Sequence, residues 1–364
     1  MPLCPNNNTI TFEVLLLNKC SNEGDVSKMT QDFWQSRASV FSGKKVLILG
    51  GLGFLGSSLA IRLAGMGARV LLADAMIEEY GGNLFNIEPV KDDVQVNYCD
   101  IRDEHAMGQL VCGQDYIFHS AAQVCHLKSL SDPFPDIDIN IRGTAVIMEA
   151  LRKHNPTAKL IKLGSRGQYG SVLKLPAGEE AKPDPKGIYE ISLLAAEHII
   201  GSYCRNHGIQ GVLTRLTNIY GPRAQMRHNR FGVANWFVRL AIEDQTIPVF
   251  GDGLIKRDFL YIDDCVEALL RLAVLPEACG QVYNVGHDQP SNFLELTRTI
   301  VDVAGTGRYQ HTPFSPERKA QEPGDFYTDI TKIHQVTGWK PETELAEGIR
   351  HTVDYYRMNK ERYW

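Results

Sequence analysis

The sequence lacks three features that would each indicate a particular class of protein. No apolar run has the roughly 20 residues of a membrane-spanning helix, so we expect no membrane insertion. The formal net charge of -5 gives no basic excess, so we expect no nucleic-acid partner. The eight cysteines include no pair with the two-residue gap of a zinc or redox motif, which predicts reduced, buried thiols, a cytoplasmic location and no metal site.

Residues 1–42 also lack a secretory signal, because the apolar run Val14–Leu17 is short and no basic segment precedes it. We interpret this stretch as an N-terminal extension. The chain of 364 residues leaves room for two further domains, at roughly 150 residues each. We place their boundary after Gly221, where a regular alternation of strands and helices ends.

From Lys44 onward, short apolar strands alternate with amphipathic helices. The predicted strands are 46–49, 69–73, 94–98, 116–119, 160–163 and 212–216, and the predicted helices are 55–66, 104–111, 143–154 and 189–207. Repeated βα units require a parallel sheet that is covered on both faces. We therefore predict an α/β fold with a Rossmann-like, doubly wound parallel sheet, which binds ligands at the carboxyl ends of its strands.

The pattern is looser after Gly221. Helices are predicted at 234–241, 263–273 and 293–304, and extended segments at 248–253, 256–261 and 281–285. We predict that residues 222–364 form mainly a smaller C-terminal α/β substrate domain, with some segments returning to the sheet.

The first predicted strand runs directly into three spaced glycines, Gly50, Gly53 and Gly56, and a helix opens at once. Glycine permits the tight turn, the approach of a pyrophosphate and the close packing of helix on strand. The helix N-terminus offers N–H groups and a positive dipole end to phosphate. Asp74 ends the second strand about 20 residues on, where a carboxylate binds ribose hydroxyls and repels a 2′-phosphate. Residues 43–221 are therefore predicted to bind NAD rather than NADP.

Further motifs follow in order along the chain. They are Asp100-Ile101, His119-Ser120-Ala121-Ala122-Gln123, Asn140-Ile141-Arg142-Gly143-Thr144, Thr214–Arg223 and Arg257–Asp264. With them, the chain from Lys44 onward resembles the extended short-chain dehydrogenase/reductase family, in its nucleotide-sugar epimerase/dehydratase branch. The resemblance implies NAD as the cofactor, a nucleotide-diphosphate sugar as the substrate, and a homodimer.

The resemblance and the side-chain chemistry together assign residue roles. The cofactor would be held by Gly50, Gly53, Phe54, Leu55, Gly56, Asp74, Asp100, Ile101, Ala121, Ala122, Gln123, Asn140 and Tyr189. The substrate would be held by Gln123, His126, Ser165, Arg166, Asn218, Arg223 and Arg257. Ser165 and Tyr189 match the catalytic pair, in which the tyrosine phenolate accepts a sugar hydroxyl proton. Arg257 would bind the diphosphate or, alternatively, form a salt bridge with a neighbour such as Asp258.

Leu193 departs from the family pattern, which has a lysine four residues after the catalytic tyrosine. Residues at this spacing share one helix face, and the lysine charge would lower the pKa of Tyr189. Three interpretations remain open: another cation such as Lys162 or Lys186 replaces it, the enzyme is slow or specialised, or the chain is inactive but still binds its ligands.

A second departure lies in Gln321-Glu322-Pro323, where many members have an arginine for the diphosphate. Arg318, in the same segment, is the alternative cation.

The reaction is predicted from two missing acids. Dehydratases of this family have an Asp-Glu pair directly after the catalytic serine or threonine, and here the residues are Arg166 and Gly167. Epimerases need no extra acid. We therefore predict a C4 epimerase that acts through a transient keto-sugar. The alternatives are a nucleotide-sugar reductase or dehydrogenase, and a catalytically impaired protein that binds NAD and sugar nucleotide.

Overall fold

The structure, a computed structural model, describes residues 33–37, 39–316, 319 and 322–364. Its strands are β1 Lys45–Leu49, β2 Arg69–Asp74, β3 Val94–Tyr98, β4 Tyr116–His119, β5 Lys159–Ser165, β6 Gln210–Leu216, β7 Asn218–Tyr220, β8 Thr246–Phe250, β9 Lys256–Arg257, β10 Phe259–Tyr261, β11 Val282–Val285, β12 Ser291–Asn292 and β13 Arg308–Thr312. Its helices are α1 Phe54–Gly65, α2 Glu104–Leu110, α3 His126–Ser131, α4 Gly143–His154, α5 Ile188–His207, α6 Val233–Ile242, α7 Ile262–Val274, α8 Phe293–Ala304, α9 Thr331–Thr337 and α10 Leu345–Asn359.

Seven strands form one parallel sheet in the order β11-β6-β5-β4-β1-β2-β3. Helices α2, α4 and α5 pack together on one face of this sheet, and α1 and α7 pack on the other. Strands β1 to β3 are added toward one edge of the sheet, and strands β4 to β6 toward the other. The switch point between β1 and β4 leaves a crevice at the carboxyl ends of these two strands. The predicted Rossmann-like, doubly wound fold is confirmed.

The strands and helices predicted before residue 221 are all present, with bounds that differ by at most two residues. The sequence patterns missed β7, β12 and β13 and the helices α3, α9 and α10. They also missed a π-helical segment at Asp136–Arg142, which runs directly into α4.

The second half of the chain is joined to the sheet by β11, which pairs with β6 in the register Val282↔Leu213 to Val285↔Leu216. The remaining strands form three two-stranded sheets, β7 with β10, β8 with β13 and β9 with β12. The described residues from 39 onward pack as one compact unit. The predicted boundary between residues 221 and 222 therefore stays a prediction.

Most of the predicted extension at residues 1–42 lies outside the described residues. Its last part packs with the sheet, because Phe41 is fully buried and its ring lies 5.2 Å from that of Tyr116. No described helix is long and apolar enough to cross a membrane. The six described cysteines are free, but the expectation that they are buried holds only for Cys125 and Cys265. Cys112 is exposed, and the other three, Cys99, Cys204 and Cys279, are only partly buried.

Candidate active site

The turn between β1 and α1 is shaped by glycines that have no room for a side chain. Gly50 has a φ of +77°, and a Cβ there would lie 2.7 Å from the Ala121 nitrogen. A Cβ on Gly56 would lie 2.1 Å from the Gly50 oxygen. Helix α1 begins after Gly53 with no side-chain cap and no acidic residue in its first turn. Its first N–H groups therefore suit an anion.

Asp74 ends β2 beside this turn. Its two carboxylate oxygens accept hydrogen bonds from the backbone nitrogens of Leu52 at 3.0 Å and Met76 at 2.9 Å. Burial raises the pKa of the Asp74 carboxyl above its usual value, while these two bonds lower it. The two backbone bonds fix the carboxylate in place and leave each oxygen with a further lone pair for a ribose hydroxyl.

A first cavity of about 540 Å³ opens over the glycine turn. It is lined by Gly50, Gly53, Phe54, Leu55, Gly56, Asp74, Asp100, Ile101, Ala121, Ala122 and Tyr189, all of which the sequence assigned to the cofactor. The first cavity also contacts the loop Tyr80-Gly81-Gly82, which the sequence analysis did not single out. Asp100 is held by Arg102, whose Nε and Nη2 donate to the two carboxylate oxygens.

A second cavity of about 570 Å³ lies beside the first. Arg166, Arg257 and Glu190 line it, and its other wall is aromatic: Phe231, Trp236, Phe237, Phe250, Phe293 and Phe314. Sequence reasoning missed this wall, because its residues come from separate elements and no spacing connects them. Flat aromatic faces suit a nucleotide base, and guanidinium groups suit phosphate.

The two cavities meet at Ser165, Tyr189, His126 and Asn218, which line both. A ligand in the first cavity and a ligand in the second would therefore come together at the residues predicted to do the chemistry. This junction is the main geometric feature of the candidate site.

Ser165 and Tyr189 are brought together by β5 and α5. Burial is the largest effect on the pKa of Tyr189 and raises it to about 12, whereas the Ser165 side chain lowers it by less. Ser165 is fixed because its Oγ accepts from the Gly167 nitrogen at 3.1 Å and its nitrogen donates to the Gln168 side chain at 2.9 Å. Without a ligand, Tyr189 is thus a neutral phenol near pH 7.

Leu193 lies one turn beyond Tyr189, is 3% exposed and lines the first cavity. Of the cations proposed to replace a lysine there, Lys186 lines the second cavity. Lys162 lines neither cavity in the described structure; it is buried in β5, which lowers its pKa to about 7. The cation whose charge lowers the pKa of Tyr189 is instead Arg166, but the charges of Glu190 and Asp136 each raise this pKa by more.

Three predicted ligand-binding residues are not brought to either cavity. Asn140 is fully buried and bonds to the backbone of Gln123 at 2.8 and 3.1 Å and to Ser192 at 2.9 Å. Gln123 is also fully buried and donates to Asp136 at 2.9 Å. Both side chains therefore join the loop after β4 to the π-helical segment Asp136–Arg142 rather than line a cavity.

Arg223 is the third of these residues. Its Nε donates to Ser58 at 3.2 Å, and its guanidinium lies 6.0 Å from the ring of Tyr355. Arg223 therefore connects the segment after β7 to α1, and it lines neither of the two cavities in the described part of the chain.

Arg257 lines the second cavity, but its charge is already paired. It forms an ion pair with Glu322 and donates to the carbonyl of Gly324 at 2.6 Å. The predicted alternative of a salt bridge is thus present, with Glu322 rather than Asp258 as the partner. Asp258 instead accepts from Thr217 and Thr328. Arg318 and Gln321 lie outside the described residues.

Comparisons with known proteins agree with this geometry. Residues 46–286 match the sequence model of the NAD dependent epimerase/dehydratase family. The chain is 32% identical to UDP-glucose 4-epimerase of Mycolicibacterium smegmatis, over 86% of this chain and 98% of that protein. It is 29% identical to dTDP-glucose 4,6-dehydratase of Streptomyces niveus, over 87% and 94% of the two chains.

Solved structures of UDP-glucose 4-epimerases also superpose on this chain over most of its length. UDP-glucose 4-epimerase of Thermotoga maritima, solved with UDP-glucose, superposes with a TM-score of 0.78 at 28% identity, covering 87% of this chain and 99% of that one. The Thermus thermophilus UDP-glucose 4-epimerase complex with NAD superposes with a TM-score of 0.76 at 28% identity, covering 86% and 99%.

Proposed function

The chain belongs to the NAD dependent epimerase/dehydratase family, and from this we propose that it is a C4 epimerase of a nucleotide-diphosphate sugar. The observation that carries the proposal is the junction of the two cavities at Ser165 and Tyr189. A sugar in the second cavity would place one carbon at this junction, next to the ligand of the first cavity. The homodimer and the cytoplasmic location expected from the sequence stay predictions.

The first cavity fits NAD. Gly50 and Gly56 permit the tight turn between β1 and α1, since a Cβ at either would collide with backbone atoms. The start of α1 offers N–H groups to the pyrophosphate, and the Asp74 carboxylate can accept hydrogen bonds from the ribose. When bound, NAD supplies the chemistry of hydride acceptance from the sugar and hydride return to it.

Tyr189 would accept the proton of the sugar hydroxyl while Ser165 hydrogen bonds to the same oxygen. With a pKa of about 12, the tyrosine needs a favourable charge nearby to reach its phenolate form. Arg166 supplies part of that charge. On the substrate side, Asn218 and Arg257 would hold the diphosphate, although Arg257 must share its charge with Glu322.

The absence of an Asp-Glu pair after Ser165 favours epimerase over dehydratase, because Arg166 and Gly167 occupy those positions. Leu193 favours a second candidate, a protein that binds NAD and sugar nucleotide without efficient turnover. Both candidates use the same two cavities, and they differ only in the rate at which hydride moves.

Incubation with UDP-glucose, without added NAD, tests the proposal. Formation of the C4 epimer by NMR, with no net NADH and with loss of product in Tyr189→Phe, would support the epimerase. Stoichiometric NADH would indicate a dehydrogenase. Binding of the nucleotide sugar by calorimetry without product, for UDP-, CDP- and GDP-sugars alike, would indicate the binding protein.

A further inference from the structure

A second pair of acid–base side chains lies at the junction of the two cavities. His126 begins α3 and Glu190 directly follows Tyr189 on α5. The Nδ1 atom of His126 lies 2.6 Å from Oε1 of Glu190. Because a carboxylate only accepts, Nδ1 carries the hydrogen donated to Glu190, and in the neutral form of the ring Nε2 is the atom that takes up a proton.

The backbone around Glu190 is shaped to receive this carboxylate. A Cβ on Gly187 would lie 2.4 Å from Oε2 of Glu190 and 3.4 Å from Cε1 of His126. A Cβ on Gly167 would lie 2.8 Å from Cγ of Glu190 and 3.4 Å from Oγ of Ser165. Two glycines therefore make room for the pair, and they place it beside the catalytic serine.

The second oxygen of Glu190, Oε2, is buried and has no hydrogen-bond partner among the described residues. A buried carboxylate oxygen without a partner costs free energy of folding, whereas a pair with only a structural role would gain by satisfying both oxygens. The negative charge of Glu190 would stabilise a positive charge on the neighbouring imidazole, and the same charge raises the pKa of Tyr189.

We propose that His126, oriented by Glu190, is a second acid–base group that acts on a carbon adjacent to C4 of the sugar. The inference rests on the proposed function, since only a ketone at C4 makes the flanking C–H bonds acidic. Its consequence is that the protein exchanges a sugar hydrogen with solvent, a reaction that simple C4 epimerisation does not include.

The step balances without a further reactant. After hydride has left C4 for the nicotinamide of NAD, Nε2 of His126 takes a proton from C3 or C5. The electron pair of that C–H bond forms a C=C bond, and the negative charge moves to the C4 oxygen, to which the protonated Tyr189 donates. When a solvent-derived proton returns from His126 to the same carbon, Tyr189 takes back the proton of the C4 oxygen, which restores the ketone. Return of the hydride to C4, with donation of the Tyr189 proton to the oxygen, then restores the hydroxyl.

Incubation of the full chain with NAD and UDP-glucose or dTDP-glucose in D₂O tests the inference. We expect NMR to detect deuterium at C3 or C5 of recovered sugar. In His126→Asn, and in the conservative Glu190→Gln, the ratio of exchange to hydride transfer should fall at least about tenfold, which corresponds to about 1.4 kcal/mol. His105→Asn, at an exposed histidine on α2, is the matched control and should retain both reactions.

The outcomes separate the two proposals. If neither NADH nor a C4 epimer forms with these sugars, the proposed function fails, and the inference fails with it. If hydride transfer occurs in D₂O without deuterium in the sugar, only the assignment of His126 and Glu190 is overturned.

A second measurement does not depend on turnover. UDP-glucose should slow the modification of His126 by diethyl pyrocarbonate, measured by mass spectrometry of the folded chain, because His126 lines the cavity that the sugar would fill. His105 should react at the same rate with and without the nucleotide sugar. Equal rates at His126 in both conditions would contradict its placement against the sugar.

Discussion

Leu193 lies one turn of α5 beyond Tyr189, and both side chains line the first cavity. The helix thus presents the phenol and an apolar side chain to the same ligand, where a lysine would bring a positive charge. The consequence is that burial, together with the charges of Glu190 and Asp136, raises the pKa of Tyr189 to about 12, and Ser165 and Arg166 offset only part of this rise.

We expect Leu193→Lys to raise turnover at pH 7 at least about tenfold, because each unit by which the pKa of Tyr189 falls increases the phenolate fraction tenfold. In the parent protein the rate should rise steadily with pH above 7, and in the variant this rise should begin at lower pH. Initial rates of C4 epimer formation from pH 6 to 10 measure both effects. Leu193→Met keeps the apolar side chain and should leave the profile unchanged; an unaltered rate in the lysine variant would mean that another group already activates Tyr189.

The ion pair between Arg257 and Glu322 predicts that the glutamate competes with the diphosphate. Glu322→Gln removes the competing charge and should tighten the binding of UDP by about three- to tenfold, on the order of 1 kcal/mol. Isothermal titration calorimetry with UDP and with UDP-glucose is the measurement. Glu347→Gln, at an exposed position of α10, should bind as the parent does. Weaker binding in Glu322→Gln would indicate instead that the glutamate orients Arg257 for the ligand.

The two backbone bonds to Asp74 predict a role in the choice of dinucleotide. Asp74→Asn should weaken NAD binding about tenfold, because a charged acceptor for the ribose hydroxyls is lost. It should also reduce the ratio by which the protein prefers NAD to NADP, because the charge that repels a 2′-phosphate is lost. Fluorescence titration with both dinucleotides measures the ratio of dissociation constants. Asp92→Asn, at an exposed residue, is the control. An unchanged ratio would exclude contact between Asp74 and the ribose.

Lys162 predicts an unusual dependence of stability on pH. Its Nζ is buried without a hydrogen-bond partner among the described residues, and burial lowers its pKa to about 7. Between this value and 10.5 the unfolded chain binds a proton that the folded chain does not, so this residue makes stability rise with pH. Below about pH 7 Lys162 is charged in both states, so the full free-energy cost of burying its charge is present there.

Lys162→Met should therefore raise the free energy of unfolding at pH 6 by a few kcal/mol, because each unit by which burial lowers the pKa of Lys162 corresponds to about 1.4 kcal/mol. The gain should shrink toward pH 10, as measured by chemical denaturation at each pH. Lys159→Met is the contrasting variant, because the Nζ of Lys159 donates to the carbonyl of Leu275 at 2.5 Å. Loss of this hydrogen bond should lower the free energy of unfolding at every pH. A loss of stability in Lys162→Met at pH 6 would show that the lysine has a partner or a function.

The fold could be predicted from the sequence because its signals are local. Apolar runs, the glycines of the first turn and Asp74 each act within one βα unit, and the structure places them as expected. Strand β7 is only three residues long, so periodicity could not identify it. Helix α10 was missed although it buries Ile349, Val353 and Tyr356 at helical spacing.

The substrate side was harder to predict because its contacts join distant segments. Glu322 reaches Arg257 across 65 residues, and Glu190 meets His126 across 64. Gln123 and Asn140 stand in motifs that surround the first cavity, yet each is consumed by hydrogen bonds within the protein. A sequence motif gives the element that bears a residue, but packing determines which way the side chain points.

The pairing of β11 with β6 has a consequence for any attempt to divide the chain. A fragment that ended at residue 221 would lose the strand Val282–Val285 and leave a sheet margin on which the backbone groups of Leu213–Leu216 that faced this strand are unpaired. Such a fragment would be prone to self-association through that margin. The nucleotide-binding half is therefore completed by a strand that the ribosome makes about 60 residues later, and its final folding must wait for that strand.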